Sequence, residues 1–169
     1  PADTRKEATI FDIDAFVATR PDVTYNLGSE HTGYFNKKYI PYADDIVLPD
    51  QNINRSNNYR AIRYSDVLLM AAEANLQASV QKDNPQDLLD QIRDRAFGDA
   101  NHRITASLEN ILSERRLELA GEGIRFFDQV RTGNTSSIPG FTPNKNEVFP
   151  IPRIEIELAG NRWQQNQGY

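Results

Sequence analysis

Glu114-Arg115-Arg116-Leu117-Glu118-Leu119-Ala120-Gly121-Glu122-Gly123-Ile124-Arg125-Phe126-Phe127-Asp128-Gln129-Val130-Arg131-Thr132-Gly133 decides how the rest of this chain is read. The stretch predicts a charged helix that runs through a glycine pair into a second helix with an aromatic face, closed by Gly133. Thr105 or Ser107 supplies an N-cap for the first helix, and Leu108, Ile111, Leu112 and Leu119 share a face with Arg115. Gly121 and Gly123 allow a tight turn, with a positive φ expected at Gly123. Glu114, Arg115, Arg116 and Glu118 place opposite charges three and four residues apart, where they can pair along a helix. The role expected for these charges is ion pairing and hydrogen bonding between helices. Phe126 and Phe127 point about 100° apart, so one is expected in the core and the other in the groove to a neighbouring helix.

Working outward, Ala61 to Gln77 is rich in helix formers, with Val67, Leu68, Met70, Ala71, Ala74 and Leu76 spread over a wide arc. A helix apolar around so much of its circumference is expected to be clamped between neighbours. Asn84-Pro85-Gln86-Asp87 is a start signal: Asn84 accepts an orphan amide as N-cap, and Pro85 at the first helical position loses no needed donor. Leu88, Ile92 and Ala96 follow at four-residue spacing, and Gly98 ends the run. Two helical hairpins emerge, near 61–97 and 105–132. They read as tetratricopeptide-like units, although their offset of about 44 residues exceeds the standard 34. Residues 134 to 147 make a polar loop, and two prolines keep Val148 to Pro152 extended. Arg153 to Leu158 alternates polar and apolar, which by itself predicts a strand. Trp163 is expected to pin the polar C-terminal tail onto the body, the alternative being a solvent-facing platform for a sugar.

Residues 1 to 58 read differently, as a loop-rich segment with short pieces such as Thr9 to Val17 and Tyr39 to Leu48. Gly28, Gly33, Pro21, Pro41 and Pro49 punctuate it. The chain of 169 residues can bury one ordinary core. Its formal net charge is −5 with no lysine run or basic face, so nucleic acid is not an expected partner. The absence of cysteine removes disulfides and thiolate chemistry together. No apolar run approaches the roughly 18 residues of a membrane helix. The opening Pro1-Ala2-Asp3-Thr4, without initiator methionine, signal peptide or lipobox cysteine, reads as a cut made inside a longer protein.

No pattern calls for a cofactor, a metal or a catalytic residue. Asp50-Gln51-Asn52-Ile53-Asn54 imitates the start of a calcium loop, but Arg55 and Ala61 stand where glycine and a bidentate glutamate belong. It reads as a turn-forming linker. His31 and His102 lack any supporting ligand pattern. A glycosidase needs two carboxyl groups about 5–9 Å apart, which adjacent helical turns supply, yet nothing isolates one of them in an apolar pocket to raise its pKa.

Together with Phe149-Pro150-Ile151-Pro152 and the ending Asn166-Gln167-Gly168-Tyr169, the glycine-hinged stretch resembles the C-terminal portion of the SusD/RagB family over roughly residues 59 to 169. The resemblance implies a mainly α fold, a partial SusD-like arrangement of tetratricopeptide-like hairpins at 59–169 with an extended tail and the loop-rich segment 1–58. It also implies a short helical turn after Pro-Ile-Pro, against the local strand pattern, and we side with the helix. Functionally it implies a non-catalytic surface lipoprotein of the outer membrane in Bacteroidetes-type bacteria. Such a protein captures a glycan or related nutrient and passes it to a TonB-dependent transporter. Membrane contact is then made only through a lipid anchor absent from this chain. The alternatives are a helical-repeat adaptor for proteins or peptides and, behind it, a glycoside hydrolase. Sugars stack their C–H faces on aromatic rings, and six of the seven tyrosines lie at or before position 64. Tyr34, Phe35, Tyr39 and Tyr42, in a loop-like context on a rigid scaffold, are therefore the candidate ligand-binding residues. The competing reading is that these rings pack the loops against the helices.

Overall fold

A computed structural model describes residues 2–50, 53–160 and 162–169. The chain is mainly α-helical and divides into two compact units, one running to Gly123 and the other from Ile124 to Tyr169.

The first unit opens with α1 (Arg5–Thr9), β1 (Ile10–Asp12), α2 (Ile13–Ala18) and β2 (Tyr34–Asn36), followed by 3-10 turns at Lys37–Tyr39 and Ala43–Asp45. β1 and β2 pair antiparallel, with Phe11 opposite Phe35. The rest of the unit is α3 (Tyr64–Gln77), α4 (Pro85–Phe97) and α5 (Leu108–Glu118). The local start signals act as expected. Asn84 accepts the Gln86 amide at 3.1 Å with Pro85 behind it. Ser107, rather than Thr105, caps α5 by accepting the Asn110 amide at 3.1 Å. Gly98 closes α4 at φ +76, its N–H donating to the Asp94 carbonyl.

α3 packs against α4 and α5, and the core forms where they meet: Leu68, Leu69 and Ala72 against Leu89, Ile92 and Ile111. α3 is held between these two neighbours, while Val67 and Met70 on its remaining face are 43% and 42% exposed. It also starts at Tyr64 instead of Ala61, because Arg63 is extended (φ −113, ψ 155) and turns its guanidinium toward Glu118 and Glu122.

After α5 the chain turns through Gly121 (φ +79) and Gly123 (φ +77). Both need left-handed backbone, but they differ in surroundings. A Cβ on Gly123 meets nothing within 4 Å, whereas one on Gly121 would stand 2.6 Å from Nδ2 of Asn36. That same amide donates to the Gly121 carbonyl at 2.6 Å. Alanine at Gly123 should therefore cost about 1–2 kcal/mol from φ alone. Alanine at Gly121 should cost more, since the Asn36 bond must also shift or break. Thermal melts of the two variants check this, and equal losses would mean that the Asn36 contact contributes nothing.

The second unit holds α6 (Arg125–Arg131) and α7 (Arg153–Leu158). Phe126 is half-buried among Phe127, Phe141 and Phe149, at centroid distances of 5.6, 6.3 and 6.1 Å, while Phe127 stays 58% exposed. Arg153 to Leu158 is helical, as the family resemblance implied and the alternating pattern did not. Arg153 reaches Glu157 one turn on, at 2.7 Å. The tail is held by side chains other than Trp163, which is 54% exposed. Gln165 exchanges two 2.8 Å bonds with the backbone of Ile151, Asn166 donates to the Phe149 carbonyl at 2.7 Å, and the Tyr169 hydroxyl donates to that of Val148 at 3.1 Å. Amides do this better than an indole because each offers both a donor and an acceptor to an extended strand that prolines leave unpaired.

Candidate functional site

Glu114 and Glu118 lie one turn apart on α5, and both point inward, 1% and 3% exposed. Like charges at that spacing repel, so neutralisation has to come from other elements. Arg5 reaches Glu114 at 2.5 Å and Glu118 at 3.4 Å. Arg93 of α4 reaches Glu114 at 2.7 Å, and Arg95 reaches Glu118 at 2.5 Å. Arg63 links Glu118 (3.0 Å) to Glu122 (2.8 Å), and Lys38 adds a 2.7 Å contact to Glu122. Arg115, turned to the neighbouring face, pairs with Asp66 of α3 at 2.7 Å, both buried. The cations that neutralise Glu114, Glu118 and Glu122 thus come from other elements, which the three- and four-residue spacing could not show.

The electrostatics follow from this geometry. Burial pushes the Glu118 carboxyl up, but the charge of Arg95 and hydrogen bonds from Arg63 and Ser65 outweigh it and hold the group below its ordinary value. Burial likewise raises Glu122, and the hydrogen bonds and charges of Arg63 and Lys38 bring it below. A general acid needs the opposite, a carboxyl kept protonated near neutral pH. The cations around Glu118 and Glu122 thus hold these two carboxyls ionised, as braces between the elements that carry them.

The aromatic residues singled out in the sequence separate in space. Tyr34 and Phe35 are successive on β2 and so face opposite ways, 59% and 48% exposed. Phe35 touches the His31 ring at 6.0 Å, and His31 in turn touches Tyr25 at 5.3 Å. Tyr39 is half-buried, stacked on Tyr59 at 5.3 Å and 23°, with the Arg60 guanidinium 5.9 Å from its centroid. Tyr42 is 70% exposed, its amide donating to Asp45 at 2.8 Å. Among the described residues no ring contact joins the four into one platform. Tyr39 alone of them lines a pocket of about 190 Å³, whose wall also includes Lys38, Arg60, Arg63, Arg95 and Glu122. Tyr59 and Arg60 were not picked out from the sequence. Nothing local to them signals a partner twenty residues earlier.

Residues 12–138 match the SusD family. This chain belongs to the SusD family. The match draws in most of the loop-rich segment, beyond the 59–169 over which the sequence resemblance was read. Among curated relatives, SusD-like protein P2 of Formosa agariphila is 30% identical over 151 residues, covering 78% of this chain and 30% of the relative. SusD-like protein P38 of the same organism is 33% identical over 141 residues, covering 66% and 28%. Among solved structures, surface glycan-binding protein A from Bacteroides thetaiotaomicron superposes with a TM-score of 0.84 at 32% identity, over 98% of this chain and 38% of that one. A laminarin-binding SusD-like protein superposes at 0.76 with 40% identity, over 98% and 35%. The chain therefore spans about a third of the length of its SusD-family relatives.

The remaining sequence candidates are placed as follows. His102 stacks on Phe97 (4.3 Å, 2°) and bonds Asp99 at 2.9 Å. Two positions of the calcium-like run, 51 and 52, lie outside the described residues. The Asp50 carbonyl accepts the Asn54 amide at 2.8 Å. Among the described residues no three His, Asp or Glu side chains gather as a metal site, and no helix is long and apolar enough to cross a membrane.

Proposed function

We propose that this chain serves in a non-catalytic, cell-surface protein that captures an oligosaccharide for uptake. The observation that carries the reading is its likeness to surface glycan-binding protein A from Bacteroides thetaiotaomicron in complex with laminarihexaose, with a TM-score of 0.83 and 32% identity over 97% of this chain. In this reading the parent protein is lipid-anchored at the outer membrane and hands its ligand to a TonB-dependent transporter. The braced helices α3 to α5 supply rigidity, and residues 1–58 contribute to the ligand-binding region. The exposed rings of Tyr34, Phe35 and Tyr42, and the edge of Tyr39, are the surfaces on which a sugar would stack.

Laminarihexaose is the first ligand to titrate, by calorimetry. We expect saturable binding, weakened about ten-fold when Tyr34 and Tyr42 are both replaced by alanine, in keeping with the worth of well-placed aromatic contacts. No heat with laminarihexaose, nor with a wider panel of surface glycans, would sink the reading. Binding that the double variant leaves unchanged would move the site off these rings.

A further inference from the structure

The pocket beside Tyr39 carries more positive charge than the scaffold needs. Five cations (Arg5, Lys38, Arg60, Arg63, Arg95) face two carboxylates, Glu118 and Glu122. Adding the carboxylates behind the wall, Asp3 and Glu114, and the further cation Arg93 still leaves two more positive than negative groups. The surplus sits at two named side chains. Arg60 is exposed and donates only to the Lys38 carbonyl, at 2.9 Å, and among the described residues no carboxylate pairs with it. Arg95 is 56% exposed and spends one nitrogen on Glu118. A guanidinium has five N–H donors, so both retain donors aimed at solvent in a cleft that holds several waters at about 190 Å³.

The stacked Tyr39–Tyr59 pair stands beside this charge, so an aromatic edge and a forked cation share one cleft. Guanidinium groups match carboxylate and sulfate oxygens in pairs, and rings accept the C–H face of a sugar. We propose that the Arg60–Arg95 pocket binds an oxyanionic substituent, a sulfate ester or a uronate carboxylate, carried on an oligosaccharide. The proposal rests on the glycan-binding reading and adds a charged subsite to it.

The test is calorimetric titration of this chain with laminarihexaose, with sulfated laminarihexaose of the same length, and with inorganic sulfate. The sulfated sugar should bind about ten-fold more tightly than the neutral one, and this advantage should shrink as salt rises from low to physiological strength. Arg60→Gln should abolish the advantage. Arg153→Gln, which removes the same charge from a side chain 92% exposed in the second unit, should keep it, and unchanged melting temperatures would show both variants folded. Equal affinity for the two sugars, or equal behaviour of the two variants, overturns the charged subsite while leaving glycan binding intact. Inorganic sulfate binding as tightly as the sulfated sugar would assign the pocket to a free anion and overturn the sugar-borne assignment. Failure of both sugars to bind would overturn the subsite, and the wider glycan panel would then decide the glycan reading.

Discussion

Replacing Glu118 by alanine should remove about 3–5 kcal/mol of folding stability, the range for breaking a buried ion pair from one side. The carboxylate is 3% exposed and accepts from Arg95 at 2.5 Å, Arg63 at 3.0 Å and Arg5 at 3.4 Å. Its loss leaves three guanidiniums around a void, but they do not suffer equally. Arg95 is half exposed and can turn to water. Arg63 keeps Glu122, and Arg5 keeps Glu114 and Asp3. The cost should therefore fall near the lower end of the range. Arg116, two residues earlier on α5 and exposed, is the control, and its replacement by alanine should stay within about 0.5 kcal/mol. Urea denaturation with linear extrapolation reads both values. A loss under about 1 kcal/mol at Glu118 would mean that solvent screens the network as it screens surface pairs.

What the sequence made legible was set by distance along the chain. Asn84-Pro85, Ser107, Gly98 and the Gly121–Gly123 pair work through their own neighbours, and each does in the structure what its chemistry predicts. The charged helix was legible in kind, since ion pairing between elements holds it, but its partners were not. Arg5 sits 109 residues from Glu114, and no local rule reaches that far. The same holds for Tyr39 and Tyr59, whose stacking depends on how the loop-rich segment lies against the approach to α3. Arg153 to Leu158 failed in another way. Alternation over six residues is compatible with either period, and Pro152 fixes a backbone from which a helix can start. Trp163, expected to pin the tail, is 54% exposed. The neighbouring amides satisfy an extended backbone that the indole, a donor only, cannot.

Leu69→Ala should be the other severe substitution, at about 2–5 kcal/mol. Leu69 is fully buried in the cluster that α3 shares with Leu89 and Ile92 of α4 and Ile111 of α5. Truncation there opens a cavity that the helices cannot close, because α3 and α5 are also tied through the Asp66–Arg115 pair at 2.7 Å. Collapse onto the void would have to displace that buried contact, so relaxation is opposed and the upper half of the range is expected. Met70, the next residue, is turned by about 100° and is 42% exposed. Its replacement by alanine should cost under about 1 kcal/mol, as only part of its surface leaves water on folding. The pair of measurements separates the two accounts of this helix. Losses of similar size would mean that the apolar arc of α3 is loaded beyond the faces that meet α4 and α5. A large gap between neighbours would place the whole load of α3 on its inward stripe, leaving Val67 and Met70 outside the core of this unit.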